Sequence, residues 1–414
     1  MRFLSGNKPY LIPFSIAIVS FLAVFGVISQ ANNDILVLGQ LWKTGLPTWQ
    51  SSISVEPGQE FKITSFAGNY SAEGVAVTNA RMVDELPQYT SYVAGSAFQI
   101  LDNSGTWQPL GDDGATPFDG AGLVVTADGT LSALEFANYK YTVKVDDFLP
   151  AGAAQLSWGG PVLHFTDASG SQTKSTIHST SIAVINLPAI SSFSVNANIY
   201  KLGDAITASA TGDAGKISHV EIGSISFNLG GSGPNYSGTY AVQAGDSVTG
   251  IPRVFFDNGS GTGSYRDAAS SVVIDGVVPP APSNLAASVN SGTLVATLTW
   301  DASSPETDVT QYNIYSDNGS GTIDYNTPFA TVAANASASY SYDTAALTAD
   351  SLYKFVVRSQ DAAGNIEQNT SAASAATDFT APAPPDSLSR PTTSTDTVVK
   401  FGAANPLQFT WASS

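Results

Sequence analysis

From residue 50 onward the chain is built of short apolar runs that never lengthen into a helix. Stretches of three to ten residues rich in Val, Ile, Thr, Tyr and Phe (61–64, 139–145, 220–229, 272–274, 294–300, 312–316 and 353–359) alternate with clusters of Gly, Asn, Asp, Ser and Pro. β-branched and aromatic side chains favour the pleated backbone, whereas the punctuating residues supply turns. No stretch carries the 3.6-residue apolar period of an amphipathic helix. The expected fold class is therefore all-β: antiparallel β-sandwiches in tandem.

Punctuation of a heavier kind divides the chain. Ile185-Asn-Leu-Pro-Ala-Ile190, Asp275-Gly-Val-Val-Pro-Pro-Ala-Pro282 and Asp378-Phe-Thr-Ala-Pro-Ala-Pro-Pro-Asp386 each end a block. Neighbouring prolines fix φ and hold the chain extended, as semi-rigid spacers do. The resulting beads are 50–187, 190–278, 280–378 and a begun copy at 383–414. At the N-terminus, Arg2 and Lys8 precede an uncharged run whose apolar heart is 11–28, followed by the small-x-small step Ser29-Gln-Ala31. Residues 1–31 read as a secretory signal, or as an uncleaved membrane anchor, since the run approaches the ~20 residues that span a bilayer. Either reading exports the remainder, with the N-terminal segment as the membrane contact.

Composition narrows the function. The chain has 34 acidic residues against 16 basic, a net charge of −18, so it lacks the basic face a nucleic-acid binder needs. It has no cysteine, which removes disulfides, thiol catalysis and zinc-thiolate sites together. Its three histidines, His164, His178 and His219, show no metal-ligand spacing. Export without cysteine suits a bacterial or archaeal surface protein stabilised by β-cores.

The landmarks of the third bead fall in order. Pro280-Ala-Pro-Ser-Asn-Leu285 leads to Ala296-Thr-Leu-Thr-Trp300, then Tyr312-Asn-Ile-Tyr315, Leu347 with Tyr353, and Asp361-Ala-Ala-Gly-Asn365. Alternation places the Trp300 ring in the core, along with Leu298 and Ala296. The series resembles a fibronectin type III domain over 280–378, and the resemblance implies a tyrosine corner at Leu347 and Tyr353. Ala383-Pro-Pro-Asp-Ser-Leu388 and Leu407-Gln-Phe-Thr-Trp411 resemble the start of a second copy. The second bead, with Tyr200-Lys-Leu-Gly-Asp204 and Tyr236-Ser-Gly-Thr-Tyr240, resembles a bacterial immunoglobulin-like repeat. The first bead, with Val83-Asp-Glu-Leu-Pro87 and Tyr92-Val-Ala-Gly-Ser96, resembles the conserved repeat of prokaryotic surface proteins that carries a D-x-L-P step. That resemblance implies no catalytic residue.

Few residues offer chemistry. Asp257-Asn-Gly-Ser-Gly261 recurs as Asp317-Asn-Gly-Ser-Gly321. Asn-Gly pairs favour hairpin turns. The same oxygens could hold calcium, so Asp257 and Asp317 are the candidate metal ligands and calcium the one candidate cofactor, although the alternating acidic ladder of a calcium loop is missing. Asp112-Asp113 and Asp146-Asp147 pair carboxylates that point to opposite faces of an extended chain. Trp107 and Trp158 are candidate sugar-stacking rings of a carbohydrate-binding bead, or core residues. No nucleophile–base pair, phosphate loop or dinucleotide fingerprint is present. The chain reads as an exported, non-catalytic surface or adhesion-type protein. Its beads space and bind, with an extracellular protein or carbohydrate as ligand and no nucleic acid. The alternative is the N-terminal part of a secreted polysaccharide-active enzyme whose catalytic module lies beyond residue 414.

Overall fold

A computed structural model describes residues 35–377, apart from 72–74, 101–104, 112–117, 119–121, 127 and 178. The segment 1–31, the begun copy at 383–414, Asp112, Asp113 and His178 lie outside the described residues. Every regular element among those described is a β-strand, so the all-β class holds. Among the described residues no helix is long and apolar enough to cross a membrane.

Contacts divide the chain into two compact units. The first holds residues up to 198 together with 205–240 and 248–272. The second holds 199–204, 241–247 and everything from 273. The stretch 190–278 thus contributes to both.

In the first unit the central ladder joins Ile35–Trp42, Glu60–Asn69 and Phe136–Val145, all antiparallel. Period-two alternation decides which faces are buried. Phe61, Ile63 and Ala67 point inward from one strand, and Ala137, Tyr139, Tyr141, Val143 and Val145 from the next. They pack with Ile53, Val55, Met82, Leu163 and Ile182 from the facing strands into one core. A further sheet orders Phe148–Pro150, Gly263–Asp267, Arg253–Asp257, Ile217–Ile222 and Ile225–Leu229.

Two sequence expectations are corrected. The run 220–229, expected as one strand, is a hairpin of Ile217–Ile222 and Ile225–Leu229. Gly223 at φ +57 opens the two-residue turn that its absent Cβ allows. The strand Ile35–Trp42, upstream of residue 50, was not expected at all. Its run Ile-Leu-Val-Leu continues the apolar character of the N-terminal segment and hides the strand in it.

The fibronectin-like stretch closes as seven strands. Ser283–Val289, Val295–Asp301 and Ser339–Ala346 form one sheet. Ala330–Ala333, Val309–Ser316, Leu352–Asp361 and Ala373–Ala376 form the other. Trp300 is 1 % exposed, as its alternation requires, stacked on Tyr340 and edge-on to Tyr312. Glu306 Oε1 accepts from the hydroxyls of both tyrosines, so a carboxylate ties the rings beside the tryptophan together. Burial of Tyr312 pushes its phenol up to about 12, which keeps it a donor. The tyrosine corner is present: Tyr353 Oη accepts from Thr348 N at 3.0 Å.

Candidate functional site

The two Asp-Asn-Gly-Ser-Gly loops share a sequence but not an environment. Each follows a strand, Arg253–Asp257 in one case and Val309–Ser316 in the other. Asp257 sits at the rim. Its Oδ1 accepts from Gly259, Ser260 and Gly261 N at 2.6, 3.1 and 3.1 Å, closing an exposed turn. Asp317 is 3 % exposed. Its Oδ1 accepts from Gly319 N at 3.0 Å and from Lys354 N, on the neighbouring strand, at 2.9 Å. Its Oδ2 is buried with no hydrogen-bond partner. The difference comes from position: Asp317 leaves a central strand flanked by Leu352–Asp361, and Asp317 N itself donates to Lys354 O.

A carboxylate group that sequence reasoning missed lies elsewhere in the second unit. Asp275, Asp308 and Asp361 place carboxylate oxygens within 4.8 Å of one another. Asp361 is buried and committed: Oδ1 accepts from Gly364 and Asn365 N, and Oδ2 from Asn365 Nδ2, each at 2.8 Å. Asp275 Oδ1 accepts from Val277 N at 3.0 Å. Asp308 is exposed, and its carboxyl is raised by desolvation and then by the charges of Asp275 and Asp361. Residues 86 and 53 positions apart carry no common motif, so only the fold brings them together. The signal available in sequence was the Asp361-Ala-Ala-Gly-Asn365 turn alone.

The D-x-L-P step of the first bead contains the most perturbed carboxyl. Asp84 is fully buried; its Oδ2 accepts from Ser65 Oγ and Tyr141 Oη, and its Oδ1 from Trp158 Nε1 at 2.9 Å. Burial raises it more than its three donors lower it, and it stands at about 6. Three fixed donors and no solvent describe a structural tie between strands Glu60–Asn69, Phe136–Val145 and the Trp158 loop. A proton-transfer group needs a path to substrate, and Asp84 has no exposed surface.

This also corrects the reading of Trp158 as a sugar-stacking ring. It packs against the core and spends its indole N–H on Asp84. Trp107 is half-buried, with Lys140 Nζ 4.1 Å from its ring centre. His164 is exposed and shares a hydrogen bond with Thr173 Oγ1 across its hairpin. Asp146 and Asp147 stand in the turn after Phe136–Val145, where Asp147 pairs with Lys144 at 2.7 Å.

Comparison with known proteins places one domain. The fibronectin type III domain family matches residues 280–375. No curated protein matches. Among solved structures, titin domains A168–A170 align at 12% identity over 84% of this chain and 100% of theirs, TM-score 0.30. The chicken CNTN1 FN1–FN3 domains align at 12% identity over 78% of this chain and 96% of theirs, TM-score 0.27. An Fn3-like protein from Clostridium thermocellum aligns at 23% identity over 24% of this chain and 92% of its own, TM-score 0.18.

Proposed function

We propose that the protein is an exported, non-catalytic surface or adhesion-type molecule in which β-sandwich beads act as spacers and binding modules. The carrying observation is the seven-strand sandwich matched by the fibronectin type III family over 280–375, following a further all-β unit. Several carboxylates of the described residues, among them Asp84, Asp257 and Asp361, are engaged in turns and ties, which supports a structural reading of much of the acidic surplus. The apolar run 11–28 behind Arg2 and Lys8 supports export.

The test is location and turnover of the full chain. Protease added to intact cells is expected to degrade it, and the purified protein is expected to leave polysaccharide and peptide panels intact. A chain confined to the cytoplasmic fraction refutes export. Hydrolysis abolished by a single Asp or Glu substitution refutes the non-catalytic reading.

A further inference from the structure

The buried oxygen of Asp317 has a consequence beyond spacing. A carboxylate out of water needs its oxygens satisfied, and a buried polar atom left alone costs free energy. Oδ1 is served by two backbone amides; Oδ2 is buried and has no partner. Among the described residues, no other carboxylate has a buried oxygen without a partner. None of the ion pairs among them involves Asp317.

The loop around it is rich in oxygen and has no lysine or arginine of its own, with the Arg358 guanidinium of the neighbouring strand stacked on its Tyr325 ring at 3.8 Å. Residues 316–326 read Ser-Asp-Asn-Gly-Ser-Gly-Thr-Ile-Asp-Tyr-Asn, with two carboxylates. Oxygen-bearing side chains stand at alternate positions 316, 318, 320, 322 and 324. Asn318, Gly319 and Gly321 take φ of +49, +79 and +86, which curls the chain back on itself. Asp324 N donates to Ser316 O, so the far end of the loop returns to its start. A hard dication that accepts six to eight oxygens in flexible geometry is what such a loop can enclose, whereas a single water would leave both charges uncompensated.

We propose that residues 316–324 form a Ca2+ site anchored by Asp317 Oδ2 and completed by other oxygens of the same loop. Its twin at Asp257 does not bind, because half-buried Asp257 has no buried oxygen without a partner and serves three amides of its own turn. The site stands independently of whether the chain is exported.

The test uses the full chain with calcium as the probe. Thermal unfolding in millimolar CaCl2 against chelator is expected to raise the transition of the fibronectin-like sandwich, by on the order of 5–10 °C at saturating ion. Asp317→Asn is expected to abolish the shift; Asp257→Asn and Asp308→Asn are expected to keep it. An unchanged transition in the wild-type chain, or a full shift in Asp317→Asn, overturns the proposal. So does loss of the shift in Asp308→Asn, which would assign the ion to the other carboxylate group. Terbium binding to the Asp308→Asn chain keeps the test decisive where Asp317→Asn does not fold. The Tyr353 ring lies 3.6 Å from the position a Gly319 Cβ would take, close enough to sensitise an ion in this loop. Tyrosine-excited terbium emission displaced by calcium supports the site, and its absence refutes it.

Discussion

Asp84 makes its own contribution to the stability of the first unit grow as the pH falls. A free aspartate titrates at 3.8, and Asp84 in the folded chain at about 6, because burial penalises the charged form more than its three donors favour it. The folded state therefore holds this proton more tightly than the unfolded one. The resulting stability is fully present below about 3.8 and is lost as pH rises through about 6. At about 1.4 kcal/mol for each pH unit separating the two values, this group's contribution to stability falls by about 3 kcal/mol between pH 3.5 and pH 7.5. Other carboxylates titrate over the same range, so the measurement is a difference. Denaturant midpoints of the wild-type chain and of Asp84→Asn, followed by fluorescence at a series of pH values, give two stability curves. Asparagine keeps the shape and an acceptor oxygen but has no proton to gain. The wild type should lose ground against Asp84→Asn as pH rises through about 6. A gap between the curves that stays constant with pH, or that moves in the wild type's favour as pH rises, refutes the reasoning.

Further outcomes follow from the second unit. Trp300→Ala should cost about 3–5 kcal/mol by leaving a cavity between Tyr340 and Tyr312, read as a lowered urea midpoint. Trp300→Phe should cost far less, since the buried indole N–H it removes has no partner. Tyr353→Phe should cost about 1 kcal/mol, because it removes the acceptor of Thr348 N while keeping the ring in place.

Strand identity was legible in the sequence because alternation reports which face is buried. Val295–Asp301 and Leu352–Asp361 appear where their apolar period places them, and the tyrosine corner stands at Tyr353, where the fibronectin type III resemblance implied it. Less legible was whatever depends on neighbours distant in sequence. Asp84 stands in an obvious motif, yet its role arises from Ser65, Tyr141 and Trp158, which only the packed sandwich assembles. Asp257 and Asp317 have the same five-residue signature. One is half-buried and the other almost wholly buried, because burial belongs to the strand that delivers the loop, not to the loop. Trp158 illustrates the limit from the other side: a tryptophan in a Gly-rich stretch looks available to a sugar until its N–H is found spent on a buried carboxylate.

The acidic surplus itself has an architectural origin. Asp167 accepts from Ser169 N, Asp204 from Lys201 N, Asp246 from Gln243 N, Asp275 from Val277 N and Asp361 from Gly364 and Asn365 N. An aspartate side chain satisfies amides that a turn would otherwise leave unpaired, so a chain of many hairpins accumulates negative charge as it accumulates turns. Burial should then rank these aspartates. Asp361 is 1 % exposed, and its removal takes the carboxylate acceptor from Asn365 N and leaves Gly364 N with only the long bond to the Asp361 carbonyl, while Asn365 Nδ2 keeps Asp275 O. Asp361→Ala should therefore cost about 1–3 kcal/mol, the penalty for a buried group left unsatisfied. Asp167 closes a surface turn whose amide water can serve instead, so Asp167→Ala should move the unfolding midpoint by little more than measurement error. Equal losses at the two positions would mean that the aspartates act through long-range charge rather than through the turns they close.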